Sequence, residues 1–269
     1  MTSMEQRAAT ERLFNAIEAN DFAGAVRAMD AGASLSAKRG GLTPLLLSIE
    51  KSERESSGSI ARSILRRGPA QTDVDRNRDD ETALHKAARI RWPDVAEALL
   101  AAGFDPNVKN ASGDAPLAEA AFAINLPVVA ALLADARTDA ALANERGTDA
   151  LHMCLGQWLG KAEDKAGIVR ALVGAGANVN QADCQGGTPL MCVCLVGEEG
   201  ALDLAKLLLE LGADIHACAQ SGATAEAIAR SHGRCPELGE FLRSLRESSA
   251  IEQDLPLEAC SSVARSLRI

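Results

Sequence analysis

Two short phrases return along the chain at nearly regular intervals, and no other feature restricts its fold as tightly. The first is a Thr-Pro-Leu-like start: Thr43-Pro44-Leu45, Thr82-Ala83-Leu84-His85, Ala115-Pro116-Leu117, Asp149-Ala150-Leu151-His152, Thr188-Pro189-Leu190 and Thr224-Ala225. Successive starts lie 39, 33, 34, 39 and 36 residues apart. The second is a Leu-Leu-like stretch closed by glycine, at Gly32, Gly68, Gly103, Gly176 and Gly212. A sixth glycine is missing near Ala136, where the chain reads ADARTDA. Self-similarity at such a period means repeated supersecondary units. No unit buries its apolar face alone, so neighbours stack into a continuous core.

Each phrase has a local physical reading. Thr caps a short helix through its hydroxyl. Pro in the first turn gives up an amide that has no partner there. His at the fourth position, His85 and His152, bridges backbone groups, a structural role rather than a catalytic one. The second helix of each unit repeats its apolar residues at helical spacing, as in Val95, Leu99 and Leu100, or Leu204, Leu207 and Leu208. Gly then ends that helix in a left-handed conformation. Hydrophobic residues make up 47% of the chain and aromatic residues only 3%, with no tyrosine. The core is therefore Ala, Leu and Val, which suits close-packed short helices better than a sandwich or barrel.

The same composition removes several functions. With 28 basic and 37 acidic residues the formal charge is −9, which argues against nucleic acid binding through a basic face. No apolar run is long enough to span a membrane. The N-terminal residues are charged where a signal peptide is apolar. Seven cysteines at irregular spacing read as reduced thiols, placing the chain in the cytoplasm, with the nucleus as the alternative. GxxxxGK[ST], GxGxxG and HExxH are all absent, so no catalytic residue and no cofactor is assigned. Cys192 and Cys194, with Cys154, Cys184, Cys218 and His216 in neighbouring units, hold soft donors for zinc. Cys154 and Cys194 stand where the first helix packs a small residue, so burial is preferred to a metal site. Cys184, at a hairpin tip, is expected to be exposed.

The segments ETALHKAARIRWPDVAEALLAAGFDPN (81–107), GGTPLMCV with LAKLLLELGADIHA (186–193 and 204–217) and IVRALVGAGANVNQAD (168–183) resemble the ankyrin repeat. The resemblance spans about residues 8 to 245. It implies a mainly α solenoid of helix-turn-helix pairs linked by β-hairpin loops, and a non-catalytic scaffold that binds a protein partner on its concave face. The expected organisation is one domain, residues 1–246, with units 5–38, 39–77, 78–110, 111–144, 145–183, 184–219 and 220–246, then a tail from 247 to 269. Polar caps at both ends predict a monomer.

Aligned on the motif, the variable positions at the hairpin tips are Arg39, Arg78, Asp79, Glu81, Asp114, Glu145, Arg146 and Gln185. Those at the ends of the first helices are Arg89, Phe122, Gln157 and Trp158. Binding energy concentrates on aromatic and Arg anchors, so Phe122, Trp158, Arg78, Arg89 and Arg146 lead this set. For Trp158, as for Trp92, turn packing is the alternative to partner contact. Lys51–Ser59, Gly156–Gly167 and Val196–Ala201 read as lengthened turns within units. Glu226 stands where an internal unit buries Leu, as befits a last unit with no successor. By the same resemblance, Asn180 occupies a position open to asparaginyl hydroxylation, although a turn role is favoured. The tail LPLEACSSVARSLRI falls short of an elongin-binding box in its spacing. It leaves a second reading, a substrate adaptor of a ubiquitin ligase or other enzyme complex.

Overall fold

The short helices predicted from the starts and the glycines form in pairs. The structure, a computed structural model, describes residues 3–51, 58–68, 76–77, 79–197, 199–232 and 234–253. The chain divides into two compact units, Met1–Asn178 and Val179–Ile269. The first contains α1 (Ser3–Glu18), α2 (Phe22–Asp30), α3 (Pro44–Lys51), α4 (Ser59–Arg66), α5 (Ala83–Arg89), α6 (Pro93–Ala101), α7 (Pro116–Phe122), α8 (Leu126–Leu133), α9 (Ala150–Leu155) and α10 (Ala162–Gly174). The second contains α11 (Pro189–Val196), α12 (Ala201–Glu210), α13 (Ala225–His232) and α14 (Pro236–Gln253). Among the described residues the only strand-like pairings are the isolated bridges Arg39–Leu42 and Cys218–Thr224.

The punctuation acts as its chemistry requires. Pro44, Pro93, Pro116 and Pro189 open α3, α6, α7 and α11. Asp149 replaces Thr as the cap of α9 and accepts the His152 N–H at 3.0 Å. At α5 the cap is reciprocal. His85 Nδ1 accepts the Thr82 N–H at 3.2 Å, so the proton sits on Nε2, which donates to the Asp114 carbonyl at 3.0 Å. Burial depresses the His85 pKa, outweighing the hydrogen bond to Asp114, and the imidazole stays neutral. His85 thus ties one helix pair to the next.

In the first unit Leu84, Val95, Leu99, Leu132, Leu151, Ile168 and Leu172 are completely buried, in the interior that the helical spacing marked out. Gly32, Gly68, Gly103 and Gly176 take φ of 80°, 75°, 93° and 100°, the left-handed turn predicted for them. Where the glycine is missing, side chains do its work. Thr138 Oγ1 donates to the Leu132 carbonyl at 2.6 Å, and Arg137 reaches the Leu100 carbonyl at 3.0 Å. Arg137 also hydrogen-bonds Asp135, whose pKa falls to about 2 for that reason.

Two expectations for the C-terminal end need correction. Helix α14 does not stop before Glu247 but runs to Gln253, with Arg243 Nε and Glu247 Oε1 paired at 2.8 Å one turn apart. Glu226 does not face outward. It is buried between Arg230 at 3.5 Å and Arg246 of α14 at 2.5 Å, so this long helix, not solvent, covers the acid. Residues 254–269, with the box-like tail, lie outside the described residues, as does 52–57 of the first lengthened turn.

Candidate protein-binding face

The hairpin tips share a side-chain device that motif alignment alone did not reveal. Five residues before each of four starts stands Asn77, Asn110, Asn144 or Asp183. One carboxyl or amide oxygen of each accepts two backbone N–H groups across the tip. Asn77 takes those of Asp79 and Glu81 (2.9 and 3.0 Å), and Asn110 those of Ser112 and Asp114 (2.9 and 3.0 Å). Asn144 takes Arg146 and Thr148 (2.9 and 3.0 Å), and in the second unit Asp183 takes Gln185 and Gly187 (2.8 and 2.7 Å). The asparagine amides point the other way, toward acids. Asn77 donates to Glu81 (2.7 Å), Asn110 to Glu119 (3.0 Å) and Asn144 to Asp114 (2.8 Å).

This arrangement corrects part of the predicted contact set. Glu81 and Asp114 are not exposed at the tips but buried. Their side chains turn back toward the first helices, where the asparagine amides and two cations receive them. Glu81 pairs with Lys86 (2.9 Å) and Arg89 (2.7 Å). Burial pushes its carboxyl up, but hydrogen bonds from Lys86 and Asn77 and the charge of Arg89 win, and its pKa lies below the ordinary value. Arg89 is therefore half-engaged in an internal pair. Arg39 is similarly committed. It pairs with Glu11 and with Glu18 (3.3 Å), and lies 4.8 Å from the Phe14 ring centroid, bracing the first hairpin on α1. Asp79, Glu145 and Arg146 are exposed, as is Gln185 in the second unit, whose carbonyl accepts the Gln220 N–H at 2.8 Å. Arg78 lies outside the described residues.

Glu119, on α7, completes the buried acids and was missed at sequence level. Its signal was Asn110, positioned to reach the helix from the tip. Burial, aided by the charges of Glu81 and Asp114, raises its carboxyl above the ordinary pKa, although Arg89 and Asn110 oppose the shift. Its Oε1 takes the Asn110 bond, and no ion-pair partner lies within 4.0 Å among the described residues.

The end of α7 and the turn after α9 expose large apolar side chains. Phe122 is 41% exposed, Trp158 69% and Leu159 71%. Their turns abut: a Cβ on Gly160 (φ 91°) would lie 2.9 Å from Ile124 Cγ1. Ile124 is itself held at φ 48°, a costly conformation for a β-branched residue. Buried Asn125 donates to the Ala88 carbonyl at 2.8 Å, joining this turn to the end of α5. Next to Trp158 in the chain, the Gln157 carbonyl accepts a hydrogen bond at 2.5 Å from Lys165 of α10, which is fully buried. Trp158 thus rides on a braced turn. Trp92 instead lies over Gly58, whose added Cβ would meet its ring at 3.4 Å, the turn-covering alternative.

The cysteines separate by burial. Cys154 and Cys194 are buried, and burial, with the charges of Cys192 and Cys235, pushes the Cys194 thiol up to about 12. Cys184 and Cys218 are exposed. Among the described residues no three His, Cys, Asp or Glu side chains gather as a metal site requires. Asn180 bridges a turn in the second unit, donating to the Gly212 carbonyl (2.9 Å) and accepting the Asp214 N–H (2.7 Å). Asn107 makes the same pair of bonds in the first unit, with Arg137 (2.7 Å) and Asp139 (2.9 Å). Among the described residues no helix is long and apolar enough to cross a membrane.

Paired short helices, capped starts and glycine-closed turns are the marks of one class of protein, and comparison with known families agrees. The family model for ankyrin repeats, in three copies, matches residues 52–144 and again 117–219. The chain belongs to the ankyrin-repeat family. Among curated proteins it is similar to the B-cell lymphoma 3 protein homolog of Mus musculus, at 29% identity over 213 residues. The match covers 77% of this chain and 44% of that protein, so the chain spans less than half the length of this relative. Ankyrin repeats generally mediate protein–protein interaction.

Proposed function

We propose that this chain is a non-catalytic recognition module, acting in the cytoplasm or nucleus, that binds a protein partner through the hairpin tips and first-helix ends of the unit Met1–Asn178. The observation that supports it most is the exposed group Phe122, Trp158 and Leu159 on turns held by Ile124, Asn125, Gly160 and buried Lys165. Large apolar side chains in water on a braced backbone lose little freedom when a partner covers them. Gln157 beside Trp158, and Asp79, Glu145 and Arg146 at the exposed tips, would supply the polar contacts. Glu81, Asp114, Arg89 and Arg39 act from behind, shaping the face. Capture from native lysate, run with wild type beside Phe122→Ala/Trp158→Ala of equal circular dichroism and melting temperature, tests the reading. A partner lost only from the variant supports it. Partners retained by both wild type and variant place binding elsewhere on the chain and overturn it.

A further inference from the structure

Glu119 precedes Phe122 by three residues on α7, so the two side chains share one helix face. Glu81 and Asp114 act on Glu119 as like charges, and the cation that acts on it, Arg89, is itself paired with Glu81 at 2.7 Å. Glu119 is 9% exposed, and one of its oxygens has no hydrogen-bond partner among the described residues yet is not sealed from solvent. A carboxylate so enclosed has lost most of its water without gaining a close ion pair among the described residues, an arrangement that an incoming positive charge relieves.

We propose that the segment recognised here is basic: an Arg or Lys side chain between large apolar residues, its cation beside Glu119 and its flanks on Phe122, Trp158 and Leu159. This inference rests on the face being the binding surface. Charge complementarity decides between occupants. Lys161, two residues after Leu159, is an exposed cation of the same turn, and alone it would invite an acidic segment. It is exposed, where salt and water screen it. Glu119 is enclosed, and an enclosed charge is screened far less. The aromatic rings favour the same choice, because a guanidinium or ammonium is attracted to the face of Trp or Phe. The formal charge of −9 adds a long-range field of the same sign.

The test selects phage-displayed random dodecapeptides on the immobilised full chain. The most enriched peptide is then synthesised with a fluorescent label and titrated by polarisation. Glu119→Gln keeps the side-chain shape and an acceptor for Asn110 while removing the charge. Enriched peptides are expected to hold Arg or Lys beside large apolar residues. Glu119→Gln weakens binding about tenfold, the worth of one charge-assisted hydrogen bond. Replacing the peptide's cation by Gln loses a similar factor on wild type and little more on Glu119→Gln. Enrichment of acidic or uncharged peptides, equal affinity for wild type and Glu119→Gln with both folded by circular dichroism, or no enrichment over an uncoated surface overturns the inference. Phe122→Ala/Trp158→Ala separates the two readings. Peptides that bind it as well as wild type remove the face itself. Peptides lost from it but indifferent to Glu119→Gln leave the face and remove only the basic partner.

Discussion

Glu81 and Glu119 show how two acids in one cluster acquire opposite roles. Cations and an amide hold the Glu81 pKa below its ordinary 4.5, so its stabilisation is present above that pH and is lost as pH falls through the folded value. Glu119 is raised above 4.5, so the folded state prefers its proton. Its contribution is full below that pH and is lost as pH rises through the folded value. Glu119→Gln should therefore raise the melting temperature near pH 7 by on the order of 2 °C and leave it unchanged near pH 4. Glu81→Gln should lower it near pH 7, because Lys86 and Arg89 lose their carboxylate. Thermal scans at the two pH values check both signs. Asp80 offers a simpler case. It sits at φ 58° on a tip where the corresponding residues are Gly113, Gly147 and Gly186. Asp80→Gly should add about 0.5–1 kcal/mol of stability by removing left-handed strain, measured by urea unfolding.

At the scale of the element, the platform is only as firm as the turn after α9. Gly160→Ala puts a methyl group against Ile124 at a backbone angle that favours glycine. It should destabilise the first unit by about 1–3 kcal/mol and increase acrylamide quenching of Trp158, read in a Trp92→Phe background. Much of this architecture was legible in the chain itself. Thr and Pro at the starts, Gly at the ends and Leu at helical spacing act locally, and local chemistry is what a sequence displays. The burial of Glu81, Asp114 and Glu119 was not legible in the same way. Alignment places Glu81 and Asp114 at the tips as if they pointed into water. Their direction depends on Asn77, Asn110 and Asn144 folding back within a tip or across to the neighbouring one. Nor did the missing glycine announce its substitute, since Thr138 closes α8 by a side-chain bond that no glycine pattern marks, and Arg137 acts only once α6 and α8 lie side by side.

At the scale of the whole molecule, the charge of −9 bears on how fast a partner arrives rather than how firmly it stays. For a basic partner segment the association rate should fall severalfold between about 0.05 and 0.5 M salt, with the dissociation rate changing less, as stopped-flow mixing would show. On the proposed reading dissociation would be set by Phe122, Trp158, Leu159 and the enclosed Glu119, which a bound partner covers from salt. The same turn sets two lysines apart. Lys161 lies in water, and Lys165, four residues on, has no exposed surface. To a protease or an acylating reagent they are different substrates. Limited trypsin should cut after Lys161, and acetyl N-hydroxysuccinimide should label it within minutes, while Lys165 reacts only when the turn lifts. The modification rate of that one amine is then a clock for the platform's opening, and a partner seated on Trp158 should slow it.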